Sequence, residues 1–121
     1  MNRDPLKFFI KKGDLDPPIR RTFIDGNTGL PKDFTGHTVH FVMNNPDHTA
    51  KFKEPAVIEN PPTSGVLLYY WKGSETYIAL DTYPCEFHGV DQAGKPYTLP
   101  KNEEEPGKSH IFVTIGRKLA V

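Results

Sequence analysis

The residues of this chain that could take part in chemistry are few and scattered. Five histidines, His37, His40, His48, His88 and His110, are the candidate metal ligands. His37 and His40 stand three apart. That spacing converges on one face of a helix but diverges on a strand, where successive side chains alternate sides, and the residues around them read as a strand. Cys85 is the only cysteine, so neither a structural zinc set nor an internal disulfide can be assembled from this chain. Asp14 and Asp16 flank Leu15 without the rest of a calcium-binding loop, and they read as turn residues ahead of Pro17. The serines are Ser64, Ser74 and Ser109, and none occupies the strained G-x-S-x-G turn that exposes a nucleophile. Cys85 alternates with Tyr83 and Phe87, which places its thiol on a buried face and makes it structural rather than reactive. Glu103, Glu104 and Glu105 fall in a proline-bounded loop, whereas catalytic carboxylate pairs need rigid elements to fix their separation. The expectation is a protein that is not an enzyme, with no catalytic residue, no metal and no cofactor.

The elements that would carry these residues are short. Twelve prolines in 121 residues amount to about twice the usual content of ~5%, and ten glycines accompany them. Proline is excluded from helix interiors and central strands, so such a chain is cut into brief segments, the pattern of a sandwich or barrel. The length suits one domain, residues 1–121, with residues 1–12 as an N-terminal arm or first strand. Predicted strands are Lys7 to Lys12, Ile19 to Ile24, Thr38 to Met43, a poorer one at Ala56 to Ile58, Val66 to Trp71, Thr82 to Val90, Tyr97 to Leu99 and His110 to Ile115. Lys72 to Ala79 could hold one helical turn. Asp25-Gly26-Asn27-Thr28-Gly29 and Asp91 to Lys95 are turn signals, because Gly and Asn tolerate positive φ. In the third strand Val39, Phe41 and Met43 share one face. No helical pattern of ten residues occurs. The fold expected is an all-β, immunoglobulin-like, antiparallel Greek-key sandwich of about seven strands.

Charge and hydropathy narrow the partners. Fifteen basic residues balance fifteen acidic ones, which leaves no field to draw in nucleic acid or an anionic membrane. Weak net repulsion suits a protein packed against others. Met1-Asn2-Arg3-Asp4-Pro5 does not read as a secretory signal, and no stretch reaches the ~20 apolar residues of a membrane helix. The expectation is a protein made in a cytoplasm and kept there or carried out within a particle.

Five phrases occur in a particular order. Gly13-Asp14 precedes Pro17-Pro18-Ile19. After the Asp-Gly-Asn turn comes Pro31-Lys32-Asp33-Phe34-Thr35-Gly36, leading into Thr38-Val39-His40-Phe41. Gly65-Val66-Leu67 runs through Tyr69 to Trp71. Thr82-Tyr83-Pro84-Cys85-Glu86-Phe87 follows, and then a turn at Asp91 to Gly94 with Thr98-Leu99-Pro100. This order, covering most of the chain, resembles the immunoglobulin-like N-terminal domain of phage baseplate upper proteins. Two features depart from the family's pattern: Asp81 stands where a glycine usually precedes Thr-Tyr, and the sequence stops just after the last strand, where many members continue into fibrous segments. The resemblance implies a bacteriophage virion structural protein, a homo-oligomeric subunit of the tail, baseplate or neck, assembled in the host cytoplasm. A stand-alone copy could instead decorate the capsid as a cement protein.

The implied partners are copies of the chain itself and other virion proteins, with a host glycan as a further candidate. Exposed aromatics are the usual sugar-binding tool. The resemblance puts Tyr69, Trp71, Tyr83 and Phe87 in the core and leaves Tyr70, Tyr77 and Tyr97 for that role. For assembly, Val66 to Trp71 is apolar on both faces, whereas a half-solvated strand alternates. Val66, Leu68 and Tyr70 are therefore expected to form an outward patch which, with Phe8, Phe9 and Ile10, contacts neighbouring subunits. The alternative is that the segment from Lys72 to Ala79 folds back over them.

Overall fold

The computed structural model of the protein describes residues 7–73, 75–76, 78–100 and 111–118. Its strands are β1 (Lys7–Lys11), β2 (Ile19–Thr22), β3 (Thr38–Asn44), β4 (Ala50–Pro55), β5 (Val57–Ile58), β6 (Val66–Tyr69), β7 (Thr82–Val90), β8 (Pro96–Leu99) and β9 (Ile111–Gly116), with one 3-10 turn at Pro62–Ser64. One sheet runs β1-β9-β7-β3-β4, with β8 beside the second half of β7; the other runs β2-β6-β5. The chain passes between the sheets after β1, β2, β4 and β6, so that an all-β, immunoglobulin-like Greek-key sandwich results. Nine strands form where about seven were expected. Eight of them fall on the predicted segments, and the addition is β4, whose Ala-Lys-Phe-Lys-Glu-Pro sequence has a weak apolar signal. The ladders are antiparallel except at β1, which lies parallel to β9 with Phe9 opposite Thr114.

The core lies between the sheets, and aromatic rings join them. Phe41 of β3 stacks on Tyr69 of β6 with centroids 4.5 Å apart, meets Trp71 edge-on at 5.9 Å, and meets Phe87 at 5.3 Å. Such pairs contribute about 0.5–1.5 kcal/mol each beyond their burial. Val39, Phe41 and Met43 are all buried, as their alternation predicts. The Trp71 indole donates to Pro17 O at 3.0 Å, which satisfies its polar edge. Tyr83 enters β7 two residues before Cys85, and its hydroxyl donates back to Ala79 O at 2.8 Å. That Tyr-x-Cys placement with an upstream backbone acceptor is the tyrosine corner of immunoglobulin-type sandwiches. Cys85 has no cysteine to pair with and is buried, and burial pushes its thiol well above the ordinary range.

Lys72 to Ala79 does not form a helical turn in its described part. That part is a turn at Glu75 and Thr76 with bends at Gly73 and Ile78, in which the Glu75 carboxylate accepts from Lys72 N at 2.9 Å and from the Tyr69 hydroxyl, while Thr76 Oγ1 donates to Asp14 O at 2.8 Å. These contacts tie the segment to the Gly13–Asp14 turn. Ser74 and Tyr77 lie outside the described residues, as do Met1 to Leu6 and the stretch holding Glu103, Glu104, Glu105, Ser109 and His110.

Candidate functional site

The six residues expected to form a subunit interface divide in the structure. Ile10 is buried in the core, and Phe8 is half-buried with its ring 6.0 Å from Trp71. Val66 and Leu68 do not form an outward patch: they are 5% and 7% exposed. The reason lies in the register of β6, which is the middle strand of its sheet. Arg20 and Val57 flank Leu68, and Thr22 flanks Val66. Arg20 on one side and Glu59 on the other then close over the strand through a two-point ion pair, both contacts at 2.9 Å. A bidentate guanidinium–carboxylate pair is geometrically defined, and the long stems of such side chains cover apolar surface. The segment from Lys72, the other cover considered, is instead held at Tyr69 and Asp14. Phe9 on β1 and Tyr70, just past the end of β6, remain exposed.

Phe9 is the more informative of the two. It is 66% exposed and sits on an edge strand. Beside it lies a hollow of about 240 Å³ lined by Phe9, Ile10, Lys11, Thr114 and Gly116. Backbone groups on a strand point alternately to its two edges. Lys12 N donates to Gly116 O at 3.0 Å, which assigns the even residues of β1 to β9 and turns Lys7, Phe9 and Lys11 towards the free edge. There Lys7 O accepts from Arg21 Nη2 at 3.3 Å and Lys11 O from Asp14 N at 3.0 Å. The edge is therefore closed at both ends and open only around Phe9, too short for another strand to add. The opposite edge, β4, carries Lys51, Lys53 and Pro55, which likewise discourage strand addition. What this corner offers a partner is an aromatic side chain and an apolar hollow.

Two polar clusters complete the candidates. At one end of the sandwich, His37 Nδ1 lies 2.6 Å from the Tyr97 hydroxyl. The Tyr97 ring covers Gly89, where a Cβ would come within 2.3 Å of it, and Lys32 Nζ lies 5.0 Å from its centroid. Burial, and then the nearby Asp91 charge, push the Tyr97 phenol up to about 12. The Asp91 carboxyl is held below its ordinary value by the backbone N–H groups of Lys95 and Ala93, with His37 and Lys95 adding electrostatic support. With one face on Gly89 and Lys32 over the ring, Tyr97 is not a platform for a sugar. The second cluster borders a cavity of about 250 Å³ lined by Lys51, Phe52, Glu54, Lys72 and Glu75. Lys72 Nζ and Glu54 Oε1 pair there at 2.9 Å. Glu75 is 5% exposed, and its carboxylate helps to raise Tyr69 far above the ordinary phenol range, where burial is the larger cause. Phe52, Glu54 and Glu75 went unremarked in the sequence because they come together only when β4 closes beside the bend after β6.

The remaining sequence candidates are separated. His40 and His88 face each other across β3 and β7, and His88 Nε2 contacts Glu86 Oε1 at 2.7 Å. His48 is in a turn with φ of 70°. Asp14 Oδ1 pairs with Lys118 at 2.7 Å, and Ser64 lies in the 3-10 turn. Among the described residues no three His, Cys, Asp or Glu side chains are grouped to hold a metal ion, and no helix is long and apolar enough to cross a membrane. Set against protein families, curated proteins and solved structures, the chain matches none.

Proposed function

We propose that this protein is a non-catalytic structural subunit of a bacteriophage particle, placed in the tail, baseplate or neck and held by copies of itself and by other virion proteins. The virion assignment rests on the ordered phrases that resemble the phage baseplate domain, carried on an immunoglobulin-like sandwich. The observation that carries the assembly role is the β1 corner: an exposed Phe9 beside an apolar hollow, on an edge blunted against strand addition. Side chains there are arranged to be covered by a folded partner rather than to bind a peptide strand. A capsid-decorating position in the same particle would use the same surface.

A glycan-binding module is the second reading. It is favoured by the Phe52 cavity, where an aromatic ring is bordered by Lys51, Glu54, Lys72 and Glu75, groups able to hydrogen-bond sugar hydroxyls. The test is immunogold electron microscopy of gradient-purified particles with antibody against this chain, beside a glycan array of the isolated protein. Gold at tail tip, neck or shell with a silent array supports the structural role and gives its location. Unlabelled particles with the protein left in the soluble lysate remove it, and array binding lost in Phe52→Ala would put the glycan reading in its place.

A further inference from the structure

The exposed apolar residues are not confined to the β1 corner. Ile24 and Leu30 are 56% and 64% exposed, and both sit at the tip of the loop that leaves β2. This tip is stiff. Asp25 N donates to Leu30 O at 2.8 Å, Gly29 N to Asp25 O at 2.8 Å and Asn27 N to Asp25 Oδ1 at 2.8 Å. Gly29 takes the positive φ of 74° that closes the turn. Ile24 bridges Pro31, and at the root Phe23 N donates to Gly65 O at 2.8 Å while Lys32 N donates to Phe23 O at 2.9 Å. A loop held this way loses little conformational freedom on docking. Two aliphatic side chains kept in water on a rigid tip have the form of a knob.

The knob and the Phe9 hollow are at opposite ends of the molecule. β7 begins at Thr82, opposite Thr114 of β9, close to Gly116 and the hollow. It ends at Val90, opposite Thr38. Lys32, next to Pro31 of the knob, lies over Tyr97, which pairs with Gly89 at that far end. Nine residues of strand separate the two ends, ~30 Å at the usual rise. The surfaces also suit each other. The hollow of about 240 Å³ exceeds the ~150 Å³ that already houses a benzene ring, so it has room for a leucine side chain. Lys11 borders the hollow, whereas two acidic residues, Asp25 and Asp33, against one base, Lys32, stand beside the knob.

We infer that the occupant of the Phe9 hollow is the Ile24–Leu30 tip of a second copy of this chain. This rests on the assembly role proposed above and names its partner surface. Because the two surfaces differ and lie at opposite ends, the contact is heterologous: each copy offers a knob forward and a hollow behind, and repetition produces a ring or an open row rather than a closed twofold pair.

The test uses two full-length single variants, Leu30→Cys and Phe9→Cys, mixed and treated with a short thiol cross-linker. Buried Cys85 does not compete in the folded protein. The expected product is a dimer containing one chain of each variant, formed several-fold faster than dimers within either variant alone. Light scattering at high concentration should show the parent self-associating, and Leu30→Lys and Phe9→Lys, both at exposed positions and both expected to melt like the parent, should each abolish that association. Cross-links no faster between variants than within them, or association unchanged by either lysine, would overturn the knob-and-hollow contact. Gold-labelled particles alongside a negative cross-link would leave the virion role standing and assign the Phe9 hollow to a different virion protein.

Discussion

Replacing Leu68 with serine discriminates between an internal and an external role for the outer face of β6. Leu68 is 7% exposed, lying between Arg20 and Val57. Truncating a buried leucine costs about 2–5 kcal/mol. The cover over Leu68 is one layer of side chains at the molecular surface, so water can reach the new hydroxyl and the lower part of that range applies, about 2–3 kcal/mol. A chain of 121 residues at about 2.1 cal/mol/K per residue has an unfolding entropy near 0.25 kcal/mol/K. The melting midpoint should therefore fall by roughly 8–12 °C, and the urea midpoint by about 1–2 M at an m-value near 1.5–2 kcal/mol/M. Phe9→Ser is the matched control. Phe9 is 66% exposed, and such surface changes stay within about 0.5 kcal/mol, ~2 °C here. Thermal and urea unfolding of the two variants followed by circular dichroism is the assay. A Leu68→Ser protein that melts with its parent, at unchanged m-value, would refute the idea that β6 is covered within its own chain.

Three further outcomes follow from the polar groups. Glu75→Ala removes the acceptor of both the Tyr69 hydroxyl and Lys72 N. Buried bonds to a charged group are worth about 1.5–3 kcal/mol, so the midpoint should drop by a comparable 6–12 °C on the same entropy scale, and ultraviolet titration should find Tyr69 ionising at lower pH. Tyr97 is pushed up to about 12, so the folded state holds the neutral phenol more tightly than the unfolded chain, where tyrosine titrates near ~10. Its contribution to stability is complete below about pH 10 and is lost as pH rises from there through about 12; a urea midpoint that stays flat over that interval would contradict it. Cys85, buried and with its thiol pushed up, should be silent towards a disulfide reagent in the native protein and react at the rate of unfolding. Immediate stoichiometric reaction without denaturant would show that β7 is not packed as described.

Much of the sandwich was legible in the sequence because a period of two, broken by Pro and Gly, is a local signal. The alternation of Val39, Phe41 and Met43, and of Tyr83, Cys85 and Phe87, put those residues in the core, where the structure has them. The tyrosine corner was not read from the sequence, because its acceptor at Ala79 precedes any strand signal. Strand β4 was not legible: its residues earn their place by pairing with β3, with Phe52 opposite Met43, rather than by their own pattern.

Sequence by itself thus determined the class of fold, the inward faces of β3 and β7 and the single cysteine's isolation, since each depends on residue type and short-range order alone. Only the tertiary structure decided which apolar residues stay in contact with water. The Val66–Tyr70 run reads as apolar on both faces, and a sequence pattern cannot say whether a neighbour covers the second face. Arg20 and Glu59 are 39 positions apart, and nothing in their types announces that they close over β6. Leu30 looks like any turn-flanking leucine until the bonds from Asp25 and Gly29 fix it outward, and Phe9 looks no different from Phe8 until the pairing of β1 with β9 sends one ring to Trp71 and the other into solvent. Burial is a property of pairs of distant segments, and the strand register sets it.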